Sequence, residues 1–338
     1  MKIGNVSQTV LKRSILKTIH QTREEALFTP AIEETCQAVR VTEEACAVTT
    51  TALVTGNEKS IGVYGVAKVI NDLATRCAEP VGVTVEIMLP PHAYESRLKA
   101  MMEHMEAICT QQSIQILSAH AQVSVALNQA LVSVTGIGTA KSAELMQSNQ
   151  AKADEDIVLI GCIGLEGMLR VLGEREEELR KRFVPAFIQQ MKESAKELAA
   201  QDAIRIVQRH EGVSAMHQIG GGGILAALWE VAESAGIGLE AELSKMTIKQ
   251  ETIEVCEFYH MNPYQLTSTG AILVFTRGGE ALVRDLQGSG IRASKLGVTT
   301  SKTERVIIGG TEKRFLDRPQ PDELMTWWER QLKSERED

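Results

Sequence analysis

The segment Ile61-Gly62-Val63-Tyr64-Gly65-Val66-Ala67-Lys68-Val69-Ile70-Asn71-Asp72-Leu73-Ala74-Thr75 constrains the fold more than any other stretch of this chain. Its length and density of apolar residues predict a helix packed around most of its circumference. Asn71 and Asp72 lie inside that helix, where an acid is costly unless a partner, a ligand or a cation meets it. The pair is therefore a candidate site. After Ala78-Glu79-Pro80 the pattern changes: Val81, Val83, Val85 and Ile87 alternate with Gly82, Thr84, Glu86 and Met88, the period of a strand with one buried face. Pro90 and Pro91 end it.

The remaining sequence extends this mixture. Val10, Leu11, Ile15, Leu16 and Ile19 recur at helical spacing and predict a helix over residues 1–28. A Thr- and Val-rich strand is expected over 46–55, a helix with Leu98, Met101, Met102, Met105 and Ile108 on one face, and strands over 114–120 and 130–137. That order suggests helices stacked on one face of a mixed sheet. Ser142 to Asp156 is polar and acidic and reads as a linker, and Glu174 to Arg182 reads as a solvated helix face. Helices are expected near 187–210, 224–235, 249–261, 279–287 and 322–333, with strands near 157–161, 271–276, 295–299 and 304–308. The fold class is α+β, with domains at 1–145 and 153–320 and a helical tail at 321–338.

With 338 residues, 43% of them hydrophobic, the chain has ample material for two cores. A net charge of −8 and the lack of a basic face argue against nucleic acid or an anionic membrane as partner. The start Met1-Lys2-Ile3-Gly4-Asn5-Val6 lacks the apolar core of a signal peptide and no run is long enough to cross a bilayer, so a cytoplasmic protein is expected. Six scattered cysteines without a Cys-X-X-Cys pair read as reduced core residues.

Asn71-Asp72-Leu73-Ala74 followed by the Ala78-Glu79-Pro80 corner resembles the superfamily of aminoimidazole ribonucleotide (AIR) synthetase, selenophosphate synthetase, thiamine-monophosphate kinase and the carbamoyl-dehydrating hydrogenase maturation factor. Val134-Thr135-Gly136-Ile137-Gly138, Asp156 to Gly164, Gly220 to Ile224 and Gly236-Ile237-Gly238-Leu239 continue the resemblance in order, and the last is closest to the hydrogenase factor. The resemblance implies a two-domain fold in which the first domains of two chains pair their sheets into a barrel, hence a homodimer. It also implies ATP and Mg2+ as cofactors, with Asp72 as a metal contact.

The chain departs from that pattern where the chemistry lies. No acid stands between Ala45 and Asn57, where relatives have an Asp-rich strand. Ala119-His120-Ala121-Gln122 stands for Gly-Asp-Thr-Lys, and His217-Gln218-Ile219-Gly220-Gly221-Gly222-Gly223 for Arg-Asp-X-Thr-Arg-Gly-Gly. Ser268-Thr269-Gly270-Ala271 replaces Asn-Glu-Gly-Lys. The sequence ends Lys333-Ser334-Glu335-Arg336-Glu337-Asp338 without the factor's terminal cysteine, so carbamoyl transfer to such a thiol is not expected.

Each candidate residue carries two readings. Asn71 and Asp72 either touch a phosphate-linked metal or serve helix packing. Gly220, Gly221, Gly222 and Gly223 either cradle an anion at a helix start or form a tight turn. His120 and His217, with Lys68, either build an anion or metal site or, for the histidines, are hydrogen-bonded core residues. Three functions follow: a diverged binder of a nucleotide or phosphorylated small molecule, a kinase or synthetase with rearranged catalytic residues, or a noncatalytic dimeric scaffold.

Overall fold

The computed structural model describes residues 8–14, 16–18, 24–28 and 31–337. A short helix α1 (Gln8–Ser14) precedes the strands β1 (Cys36–Arg40) and β2 (Ala45–Gly56), helix α2 (Ile61–Thr75), strand β3 (Glu79–Leu89), helix α3 (Glu95–Gln111) and strands β4 (Gln115–Val123) and β5 (Ala130–Lys141). The strands form one sheet in the order β1-β2-β5-β3-β4, antiparallel except for the β3–β4 pair. Alternation in β2 and β5 turns Ala52, Val54, Val132 and Val134 inward beneath α2 and α3. Gly65 lets α2 lie close to β5, because a Cβ there would stand 2.7 Å from Val134. The opposite face of the sheet leaves Leu53, Val81 and Leu117 exposed, and Val123 is exposed at the end of the edge strand β4.

Beyond the linker come β6 (Asp156–Ile160), α4 (Leu165–Arg182), α5 (Pro185–Glu193), α6 (Gln201–Gln208), β7 (Val213–Gln218), α7 (Gly223–Ala235), β8 (Gly238–Glu242), α8 (Gln250–Phe258), β9 (Ile272–Thr276), α9 (Gly279–Gly288), β10 (Ala293–Thr300), β11 (Arg305–Gly309), β12 (Glu312–Phe315) and α10 (Glu323–Glu337). Seven of these are strands of a second sheet, ordered β12-β11-β8-β10-β6-β9-β7. One face packs on α7 through Leu159, Leu273 and Phe275, and the other on α6 and α9 through Val158, Ile160 and Val274. Both faces being covered, β6 and β9 are near-continuous apolar runs.

The α+β architecture is as expected, with corrections in detail. Within the helix expected over 1–28, the described residues are helical at Gln8–Ser14, with a 3-10 turn at Leu16–Thr18; Ala26 instead bridges to Val39. Residues 1–7, 15 and 19–23 of that span lie outside the described residues, and 24–28 are turn, bridge and bend. The helix expected over 187–210 is broken between α5 and α6, and four strands escape the pattern, β1, β7, β8 and β12. The partner of β7 in the sheet and the helix α2 bury it, so no alternation marks it in the sequence.

Candidate functional site

Ser60, Tyr64, Lys68, Asp72 and Arg76 recur at every fourth position and form one polar stripe along α2 and its caps. At the stripe's start, Ser60 Oγ and Tyr64 Oη donate to Glu58 at 3.1 and 3.4 Å. Arg170 of α4 lies over the Tyr64 ring and donates to the Thr55 carbonyl at 2.6 Å and to Glu166 at 3.3 Å. Burial, partly offset by Arg170, pushes the Glu58 carboxyl up to about 7.

The middle of the stripe meets β7. Asp72 Oδ1 accepts from the Gln218 side-chain amide at 2.6 Å, while Oδ2 faces Lys68 Nζ at 3.4 Å. Gln218 donates as well to the Lys68 carbonyl at 3.1 Å, and its own oxygen accepts from Asn71 Nδ2 at 2.9 Å. Asn71 Nδ2 also donates to Leu198 O at 2.7 Å, and Asn71 Oδ1 accepts the Ala200 N–H at 2.8 Å. These are the backbone groups freed by the break before α6, so Asn71 is the reason a buried helix break is tolerated. Lys68 keeps 30% of its side chain exposed, and its Nζ lies 3.6 Å from where a Cβ on Gly220 would stand. Burial pulls its pKa down, and Asp72 and Glu166 more than offset this, leaving it raised.

The far end of the stripe is closed. Arg76, 1% exposed, donates to Glu34 at 2.7 Å, to Met216 O at 3.0 Å and to Ser148 Oγ at 2.8 Å. Ser148 Oγ lies 2.9 Å from His217 Nδ1, and His217 Nε2 lies 3.9 Å from Glu230. Serine, histidine and glutamate in line have the makings of a nucleophilic triad. This one is inert, because Ser148 is 0% exposed and no substrate reaches it. Burial, with Arg76 and Lys68 nearby, depresses His217 to about 3, whereas burial pushes Glu230 up to about 7. The His217–Glu230 contact is thus no ion pair near neutrality.

The glycine turn joins β7 to α7. Gly222 (φ +84°) and Gly223 (φ +66°) adopt left-handed backbone, and a Cβ on Gly223 would strike the Tyr264 carbonyl. Gly223 N–H bonds Gly220 O at 3.2 Å. The Gly222 N–H is taken by Asp322 Oδ2 at 2.7 Å, and Oδ1 of the same carboxylate accepts the Leu324 N–H at 2.8 Å. Burial pushes Asp322 up to about 6 although both amides oppose the shift.

The structure therefore brings Lys68, Asn71, Asp72 and the glycine turn together. His217 lies behind them, turned toward Ser148 and Glu230. His120 stands apart on β4, exposed and in register with Glu86, with no bond to Lys68, His217 or the turn. As a magnesium site the cluster does not fit: one oxygen of Asp72 is held by an amide donor and the other faces an ammonium, whereas Mg2+ takes oxygen ligands. Among the described residues no group of three or more His, Cys, Asp or Glu is placed to hold a metal. Arg76, Gln218 and Asp322 were not singled out from the sequence. The fourfold spacing along α2 marked Arg76, and the motif position of Gln218, where relatives have an acid, marked that residue. Nothing local marked Asp322, which acts across 100 residues.

Two family models match the chain. The AIR synthase related protein N-terminal domain matches residues 33–140, and the corresponding C-terminal domain matches 152–309. A hydrogenase expression/formation protein of Methanocaldococcus jannaschii is 22% identical over 274 residues, covering 78% of each chain. Carbamoyl dehydratase HypE of Rhodobacter capsulatus is 22% identical over 223 residues, 65% of this chain and 63% of its own. Among solved structures, a chain of a HypE–HypF complex superposes with a TM-score of 0.74 at 18% identity, covering 92% of this chain and 99% of its own. HypE in complex with ATP gives 0.68 at 16% identity (95% and 97%). The ThiL enzyme complexed with AMPPCP and TMP gives 0.70 at 14% identity (91% and 96%). Both halves of the fold and most of the sequence match, so the chain belongs to the AIR synthase-related family, near its HypE branch.

Proposed function

We propose that this chain is a noncatalytic, homodimeric member of the family, a HypE-like scaffold whose cleft is closed by its own side chains instead of a metal nucleotide. The observation that carries this reading is the 2.6 Å bond from the Gln218 amide to Asp72. An amide donor takes up one oxygen of the one acid of the Asn-Asp motif, and the Lys68 ammonium faces the other, which leaves neither oxygen for a cation. Phosphoryl transfer depends chiefly on metal ions and positioned charges, so a kinase or synthetase is the less supported reading. The half-open sheet, with Leu53, Val81 and Leu117 on its uncovered face and an exposed edge strand, supports dimerisation. Light scattering is expected to give twice the 37.0 kDa chain mass.

The decisive experiment pairs wild type with Gln218→Asp. Wild-type protein is expected to show no Mg2+-dependent ATP binding or turnover. Gln218→Asp sets two carboxylates together, so it melts lower and regains stability with millimolar Mg2+. Wild-type turnover on the order of 1 per second, abolished by Asp72→Asn, would refute the proposal. A second reading, a binder of a phosphorylated small molecule, is favoured by one observation, the partly exposed Lys68 side chain beside Gly220.

A further inference from the structure

The two edges of the first sheet differ. β1 carries Arg40, and Ala26 bridges to its Val39 from outside. β4, paired among the described residues with β3 alone, runs Gln115-Ile116-Leu117-Ser118-Ala119-His120-Ala121-Gln122-Val123 without a lysine, an acid or a proline. Those are the residues with which an open edge repels a second strand. The face beside this edge is just as bare. Pairing registers line up the outward side chains of four strands in rows, one of which is Leu53, Ser133, Glu86 and His120. The row on one side is Thr51, Thr135, Thr84 and Ser118. The row on the other is Thr55, Leu131, Met88 and Gln122. All are exposed or half-buried, and the groups among them that carry charge are Glu86 and His120, neighbours in the middle row. The helices α2 and α3 pack on the opposite face, so the charges of α3, Lys99 and its partner Glu103 among them, lie across the sheet from this pair.

A two-fold contact sets a face against its own copy. With Glu86 as its one acid, such a contact buries two carboxylates, which is costly unless each is neutralised. His120 stands beside each of them, and imidazole is the side chain that ordinarily changes charge between pH 5 and 8. We propose that a second copy of this chain covers the face and that Glu86 and His120 make the association pH-dependent: His120 takes a proton from solvent and neutralises Glu86 as the face is buried, so the dimer tightens toward pH 6 and loosens toward pH 8. The inference rests on the dimeric reading above and adds its regulation. Association takes up protons, so its constant falls as pH rises through this range.

The test uses full-length protein at constant ionic strength and measures the monomer–dimer equilibrium at pH 6 and pH 8 by sedimentation. Where the dimer is too tight to dilute apart, the rate of subunit exchange between labelled copies gives the same comparison. Wild type is expected to dissociate at least roughly fivefold more readily at pH 8 than at pH 6. Both side chains are exposed in the single chain, so substituting either leaves the fold intact. His120→Gln is expected to hold the weaker affinity at both pH values. Glu86→Gln leaves an imidazolium without its partner, so its dependence is expected to reverse, with the tighter dimer at pH 8. A wild-type ratio near one, or a ratio that keeps its size in His120→Gln or its sign in Glu86→Gln, would overturn the inference and leave the dimer standing. Monomer at both pH values in wild-type protein would instead sink the dimeric reading itself.

Discussion

The middle and the last residue of the polar stripe on α2 are built from the same kinds of residue and behave differently. At Arg76 the guanidinium is 1% exposed and bound to Glu34, Ser148 and Met216, residues from three separate parts of the chain. At Lys68 the side chain is 30% exposed and its ion-pair partner is Asp72, on the same helix. Two buried charges lose hydration, and the loss is recovered only while both remain paired. In the Lys68–Asp72 pair the lysine keeps part of its hydration and the buried Asp72 keeps the Gln218 amide as a second partner, so the pair gains and loses less. Arg76 therefore fastens α2, the linker and β7 together, whereas Lys68 leaves part of its side chain open to solvent.

Arg76→Ala tests that contrast most severely, because it strands Glu34 in a buried site. Chemical denaturation is expected to show a loss of about 3–5 kcal/mol, and a loss under ~1 kcal/mol would mean water reaches Glu34. Asn71→Ala comes next. It leaves Leu198 O and Ala200 N–H without their partner at the helix break, an expected cost of about 2–4 kcal/mol, with hydrogen exchange accelerated first at the start of α6. Unchanged protection there would place the support for the break elsewhere.

Glu230→Gln sharpens the comparison through pH. Burial holds the Glu230 carboxyl near 7 in the fold, above its ordinary 4.5, so the folded state binds the proton more tightly than the unfolded chain. Its contribution is fully present at low pH and is lost as pH rises from about 4.5 through 7. His217, depressed to about 3, works in the opposite direction and removes stability as pH falls below about 6.5. Glu230→Gln is therefore expected to raise the melting temperature by a few degrees at pH 8, about 1–2 kcal/mol, and by less at pH 5. An equal effect at both pH values would show that Glu230 is solvated. The smallest effect is expected for Lys68→Ala, under ~1 kcal/mol in stability; a larger loss would make Lys68 as structural as Arg76.

Much of the fold was legible because its signals are local. The apolar helix at Ile61–Thr75, the alternation from Val83 to Ile87 and the glycines before α7 each follow from short-range rules of packing, pleat and backbone freedom, whereas Val81, expected on the buried face, is exposed at a bulge. The same rules failed at β7, whose ending Met216-His217-Gln218 is buried between β9 and α2 and carries polar residues that find partners only there. They failed again over 187–210, where a continuous helical pattern is broken because Asn71, more than 100 residues earlier, receives the freed backbone groups.

By itself the sequence determined the α+β class and the family resemblance, since these depend on residue type and order. Only the tertiary structure decided what those residues do. A buried polar group takes whatever partner the fold delivers, and that identity is a property of distance in space. Gln218 delivers an amide to Asp72, Asp322 delivers a carboxylate to Gly222, and Ser148 and Arg76 enclose His217, each across long separations in the chain.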